Sequence, residues 1–368
     1  MTTEGVGGMP GEMPVLGQPQ LPVPRPPGPV EAWQARPYPQ LLRGPTFRWW
    51  RPLLSVAVGV AAVFALIVAV AVAGALNGDS GTSGGTSDAD WTATPFGLLV
   101  TNLSLAAFIP MVMVATWAGF GWRPRWVASV APGIRWRWLL ACYAVILPVN
   151  GLLTGGLSVL GGQRWTPERQ WPLLLLVVLL TTPLQAAGEE YVFRGWIPQL
   201  VGSAVPNAAV GALVGGAASN ALFAFAHGQQ DVWLFADRFG FGVLASWLVW
   251  RTGGLEAGIA LHGVNNIVAL GLTIAFGGLK DTLDASQATP ALLVFDGLTL
   301  MLSLAPALWV SRRMRLARLF VPPPWQPPVA PAWYPPPGGY PPTGGYPPTG
   351  GYPQAGAWPE QGPPQGWS

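Results

Sequence analysis

Predominantly apolar runs of about 20 residues recur eight times along the chain, each long enough for a helix to cross the hydrocarbon core of a bilayer. They cover about Pro52–Leu76, Phe96–Phe120, Trp138–Leu160, Pro172–Gln199, Asn207–His227, Val232–Trp250, Leu255–Phe276 and Ala291–Val310. An open sheet cannot satisfy its backbone groups in lipid, so the pattern predicts an all-α, polytopic bundle of about eight transmembrane helices. The fifth and sixth runs are the least sharply divided. The first run opens after a long Pro-rich stretch and exceeds the apolar core of a signal peptide, so it reads as a retained anchor.

The ends follow another pattern. Residues 1–47 and 321–368 are rich in Pro, Gly and Gln, with "GGYPPTGGYPPTGGYP" repeating from Gly338 to Pro353. Such segments bury too little apolar surface to offset chain entropy and are expected to be disordered or extended. Either they are solvated tails, or they dock in a groove that takes polyproline helices, or they self-associate through Tyr. The predicted organisation is therefore a tail over 1–47, three leading helices over 48–170, a four-helix core over 171–276, a final helix with a basic end over 277–320, and a tail over 321–368.

Composition agrees with the membrane reading. Of the 368 residues, 51% are hydrophobic and 10% charged, against roughly 25% charged in soluble domains. The single cysteine, Cys142, lies within the third run, which excludes a disulfide framework and a Cys-based zinc site. The net charge of +3 is a matter of topology. Arg43, Arg48 and Arg51 precede the first run, Arg123, Arg125, Arg135 and Arg137 fill the second loop, Arg251 follows the sixth, and Arg312, Arg313, Arg315 and Arg318 follow the eighth. The loop from Asn77 to Thr94 carries only acids. By the positive-inside rule both termini are expected in the cytoplasm of a multi-pass plasma-membrane protein. Arg164 and Arg169 are a minor exception. Trp49, Trp50, Trp122, Trp138, Trp171, Trp250 and Trp309 mark the same borders, as an interfacial belt does. No nucleic-acid partner is implied.

Ionisable residues inside a span are costly, about 2.5–3.5 kcal/mol each even on lenient scales, and so mark function. Here they are Glu189, Glu190, Arg194, His227, Asp237, Arg238, His262 and Asp296. The two histidines of the chain are both among them. Three pairs stand at i,i+4, on one helix face: Glu190 with Arg194, Phe223 with His227, and His262 with Asn266. Arg194 neutralises Glu190, whereas Glu189 points about 100° away and is left free. A carboxylate in an apolar cavity beside an imidazole can take a proton from water. An imidazole and a carboxamide one turn apart can donate to an oxyanion. Together they suggest hydrolysis of an acyl bond in a lipidated or membrane-spanning substrate. Asp237, Arg238 and Asp296 are read as structural or interfacial, Phe223 as packing, and Asn265 as contact between helices.

The segments "EEYVFR" (Glu189–Arg194), "FAFAH" (Phe223–His227) and "HGVNN" (His262–Asn266) resemble, in order and spacing, the EExxxR, FxxxH and HxxxN/D motifs of the CPBP family. These are the CAAX-processing and bacteriocin-immunity (Abi) intramembrane proteases, which include the eukaryotic Ras-converting endopeptidase. The resemblance covers roughly Leu173 to Ile274. It implies an intramembrane endopeptidase with Glu189 as general base, His227 as its partner on the attacking water, and His262 and Asn266 at the oxyanion. Glu190 and Arg194 would brace the site and Phe223 would pack beside it. Family members are often labelled metalloproteases, and a zinc ion would take Glu189, His227 and His262; the favoured reading requires no cofactor.

Other classes of membrane protease lack their residues here. There is no HExxH, the one GTSG sits in the polar first loop, and neither YD nor GxGD occurs. Two other functions use the same features. A non-proteolytic scaffold or bacteriocin-immunity-type factor would use the Pro-rich tails, and some CPBP relatives are thought to act so. A transporter would use the buried acids and histidines as a proton relay, but no inverted repeat relates the halves.

Overall fold

The computed structural model describes residues 25, 30–76, 91–121 and 123–327. The GGYPPT repeats, the acidic loop from Asn77 to Asp90, Trp122 and most of both Pro-rich ends lie outside the described residues. Eight helices long and apolar enough to cross a membrane are present among the described residues: Arg51–Val72, Pro95–Phe120, Trp136–Leu160, Trp171–Ala204, Ala208–Ala226, Val232–Thr252, Glu256–Phe276 and Pro290–Arg313. They are called the first to eighth spans below.

Local chemistry accounts for their ends. Thr94, Asn207, Asp231 and Thr289 each accept a hydrogen bond from a backbone N–H of the turn they open, the ordinary device for a helix start. Pro95 and Pro290 occupy the first helical position, where a missing N–H costs nothing. The division between the fifth and sixth spans lies at Gly228, whose φ of +82° is a left-handed conformation that glycine adopts without strain. The second span breaks at Ala107, where Pro110 cannot bond back to Ala106.

The seventh span is the axis of the bundle. It packs on the third and fourth spans and, less extensively, on the sixth and eighth. Nine consecutive residues, Glu256 to Val264, are buried all round. Ala257, Gly258, Ala260 and Gly263 keep that helix thin, which lets neighbouring backbones approach closely. At Gly258 an added Cβ would stand 2.7 Å from Glu190 Oε2.

The fourth span runs on past Arg194, as Glu189 requires, but not as a uniform α-helix. Tyr191–Trp196 is a π turn, with the Ile197 N–H bonded to the Val192 carbonyl. The next bond of that register would need an N–H from Pro198, which has none. The Phe193 carbonyl is instead taken by the Ser219 hydroxyl of the fifth span. Such turns recur at functional sites.

The expected tail over 1–47 is corrected for residues 30–47, which fold as a strap on one end of the bundle. Strand β1 (Arg36–Pro37) pairs antiparallel with β2 (Leu319–Phe320), so the strap and the segment after the eighth span meet at one end. Tyr38, Leu41 and Leu42 are buried. Arg43 donates to the Ser203 carbonyl at 2.8 Å, and Gln40 to the Val205 and Pro206 carbonyls at 3.0 Å. Averaging composition over 47 residues hid this, because three large apolar residues and the buried donors Arg36, Gln40 and Arg43 are enough to anchor a short stretch.

The Tyr38 hydroxyl donates to the Val127 carbonyl. Burial holds the phenol far above its usual range, so it stays a donor at any working pH. Tyr38→Phe is expected to lower stability by about 1–3 kcal/mol, the cost of an orphaned buried carbonyl. Thermal unfolding in detergent measures it; an unchanged midpoint would mean that this hydrogen bond contributes nothing to the fold.

Arg135, counted above as a topology signal, is also structural. Its Nε and Nη2 donate to both oxygens of buried Glu256 at 2.9 and 2.6 Å. This pins the start of the third span to the start of the seventh. Glu256 belongs to none of the three motifs and, although it lies inside the seventh apolar run, is missing from the ionisable residues singled out from sequence.

Candidate active site

Glu189 and Glu190 close the first α-helical part of the fourth span, and Arg194 follows in the π turn. Phe223 lies near the end of the fifth span, and His227 is the residue immediately after that helix. His262 and Asn266 stand one turn apart on the seventh span. All of these surround one region of the bundle.

Glu190 and Arg194 are buried, at 0% and 1% exposure. Arg194 Nη1 lies 2.9 Å from Glu190 Oε1, close enough for an ion pair but not aligned as a hydrogen bond. The guanidinium is further held by ring faces, 4.0 Å from the Phe223 centroid and 5.4 Å from that of Phe241, an arrangement that stabilises a desolvated cation. Phe223 therefore does more than fill space. Its ring also meets both imidazoles edge to face, at 4.7 Å from His227 and 5.8 Å from His262.

His262 is tied to both acids. Its Nδ1 is 2.9 Å from Glu190 Oε1 and its Nε2 is 3.6 Å from Glu189 Oε2. Glu189 itself is 8% exposed. One of its oxygens, Oε1, accepts from Gln185 Nε2 at 2.8 Å; the other, Oε2, has no hydrogen-bond partner. The sequence separation of the two acids into a paired and an unpaired carboxylate thus has a structural counterpart, although His262 reaches both. His227 Nδ1 is 2.8 Å from the Phe223 carbonyl. A carbonyl only accepts, so Nδ1 carries a proton, and in the neutral ring Nε2 keeps its lone pair.

A cavity of about 180 Å³ opens beside these groups, lined by His227, His262, Asn266, Asn265, Phe223 and Phe241 together with Asp237, Arg238, Asp296 and Leu300. Asp237, Arg238 and Asp296, set aside from sequence, share a wall with both histidines. Arg238 donates to Gln230 Oε1 at 2.6 Å. Their one signal in the sequence was being charged within apolar spans. Gln185 carried no signal at all.

The three side chains named for zinc, Glu189, His227 and His262, are not grouped as a ligand set in the described structure. Among the described residues no three His, Cys, Asp or Glu side chains are grouped as ligands.

Comparison with known proteins adds family evidence. Residues 170–268 match the family model described as "Type II CAAX prenyl endopeptidase Rce1-like". That stretch contains all three motifs, and the match supports a CPBP/CAAX protease assignment. YyaK of Bacillus subtilis (strain 168), an uncharacterized protein, is 25% identical over 150 residues. The alignment covers 39% of this chain, which spans about half (50%) of the length of that relative. No solved structure matches.

Proposed function

We propose that this chain is an intramembrane endopeptidase that hydrolyses a peptide bond of a membrane-embedded or lipidated protein. The observation that carries the reading is Glu189 Oε2, a buried carboxylate oxygen without a hydrogen-bond partner facing an imidazole beside a cavity within apolar helices. Such an oxygen is where a water can be held and deprotonated. His227 Nε2, an acceptor once Nδ1 is bound to Phe223, takes the other proton of that water as a hydrogen bond. The water adds to the scissile carbonyl as one of its protons moves to Glu189, and the remaining O–H stays on the tetrahedral carbon. Collapse of the tetrahedral intermediate breaks the C–N bond, and the proton passes on to the leaving amine.

Asn266 and His262 receive the oxyanion on this reading. Asn266 spends one N–H on Gln185 Oε1 at 3.2 Å and keeps the other for the substrate oxygen. His262 donates Nδ1–H to the acceptor-only Glu190, so Nε2 is a second donor when the ring carries both protons.

Catalysis on this reading is by glutamate-activated water and would require no cofactor. Both termini would face the cytoplasm of the plasma membrane, since the arginine-rich loops lie at that end. The Pro-rich ends would bind a separate partner, and no nucleic acid is involved.

Asn266→Ala is expected to lower cleavage of a membrane-inserted fluorogenic peptide by about 10²–10³, the usual loss for one oxyanion donor. Unchanged cleavage would remove Asn266 from the mechanism. Membrane insertion should be unaffected, because Ala is cheaper in lipid than Asn.

A further inference from the structure

Gln185 stands one turn before Glu189 on the fourth span, is buried, and belongs to none of the three motifs. Its Nε2 donates to Glu189 Oε1 at 2.8 Å, and its Oε1 accepts from Asn266 Nδ2 at 3.2 Å. An ionised carboxylate can only accept, so the end of Gln185 that faces Glu189 must be the NH₂. The carbonyl end then faces Asn266, and a carbonyl can only accept. Asn266 must therefore turn its own NH₂ towards Gln185, which leaves the second N–H of that group for the cavity that Asn266 lines. Turned over, Asn266 would set its carbonyl against that of Gln185.

Resting on the reading of Glu189 as base and Asn266 as oxyanion donor, we propose that Gln185 is a positioning residue that couples the two. The ionised carboxylate orients one carboxamide, and that carboxamide orients the next. The oxyanion site thus presents a donor in the same state in which Glu189 is able to accept a proton. The proton from water goes to Oε2, the oxygen without a partner. Oε1 goes on accepting from Gln185, so Asn266 keeps its orientation for as long as the oxyanion exists.

The test uses the full chain in detergent or liposomes with a membrane-inserted fluorogenic peptide. Gln185→Leu keeps the volume and removes both bonds. It is expected to lower kcat by about 10–10²-fold with KM nearly unchanged, the scale of a misplaced catalytic group. In an Asn266→Ala background the same change should cost less than about threefold, because residues acting through one another are not additive.

Gln185→Glu can reproduce both bonds only when protonated, its O–H donating to Glu189 and its carbonyl accepting from Asn266. Its rate relative to wild type should be highest at acid pH and fall as pH rises, whereas a space-filling role gives a ratio flat in pH. A measurement without turnover accompanies these. With side-chain ¹⁵N-labelled asparagine, the Asn266 NH₂ signals, identified by their loss in Asn266→Ala, should shift in Gln185→Leu.

Unshifted signals, a flat ratio or full additivity would each overturn the proposal. If Glu189→Gln is inactive and Gln185→Leu matches wild type, the positioning role alone falls. If Glu189→Gln turns over like wild type, the base reading falls and the positioning role with it.

Discussion

Glu189→Gln is expected to lower cleavage of a membrane peptide by about 10²–10⁴, the usual contribution of a positioned proton acceptor. The change keeps the size of the side chain and its Oε1 can still accept from Gln185, so the local geometry is largely preserved. What disappears is the second carboxylate oxygen, Oε2, the unpartnered acceptor 3.6 Å from His262 Nε2. An amide nitrogen there donates and cannot take a proton from water. A neutral Gln is also cheaper in lipid than Glu, so insertion and folded yield should match wild type or improve on it. The measurement is a rate on wild type and variant at equal folded concentration, beside a host phenotype scored for wild type, Glu189→Gln and a chain cut after Trp325. Retention of the full phenotype by Glu189→Gln, with its loss on truncation, would replace the protease by a scaffold acting through its Pro-rich end.

Arg194→Ala is expected to act on folding instead. The side chain is enclosed, and among the described residues it is the arginine paired with Glu190. Without it Glu190 stays buried with the His262 ring as its remaining ionisable contact, and two carboxylates share one imidazole. Removing one partner of a buried pair costs about 3–5 kcal/mol, a large part of the stability of most proteins. Folded yield from the membrane and the unfolding midpoint in detergent should both fall steeply. Arg194→Lys should recover only part, since an ammonium keeps the charge but loses the flat face that lies 4.0 Å from the Phe223 ring. Normal yield with lost turnover would instead place Arg194 in the chemistry.

The sequence alone determined the number and approximate limits of the eight spans and the segments that carry chemistry. Both are local properties. A span is about 20 apolar residues in a row, and the pairs Glu190–Arg194, Phe223–His227 and His262–Asn266 follow from the 3.6-residue period of a single helix. The wide separation of these segments along the chain was no obstacle, because charges and histidines are rare in apolar helices and stand out wherever they fall.

Only the tertiary structure decided which faces of different helices meet. Lipid tails and protein interior are equally apolar, so hydropathy does not encode how one transmembrane helix is rotated against another. For that reason Gln185 was invisible: its meaning lies in touching Glu189 along its own helix and Asn266 across to the seventh. Asp237, Arg238 and Asp296 were visible as charges but could not be assigned to the wall they share with His227 and His262. The pairing of Arg135 with Glu256 and the strap over 30–47 were hidden for a related reason. Positive-inside counting treats every loop arginine alike, whereas a few buried contacts turn Arg36, Arg43 and Arg135 into donors for particular carbonyls and a carboxylate. The π turn likewise depended on Ser219 of another helix being present to take the Phe193 carbonyl that Pro198 leaves without a partner.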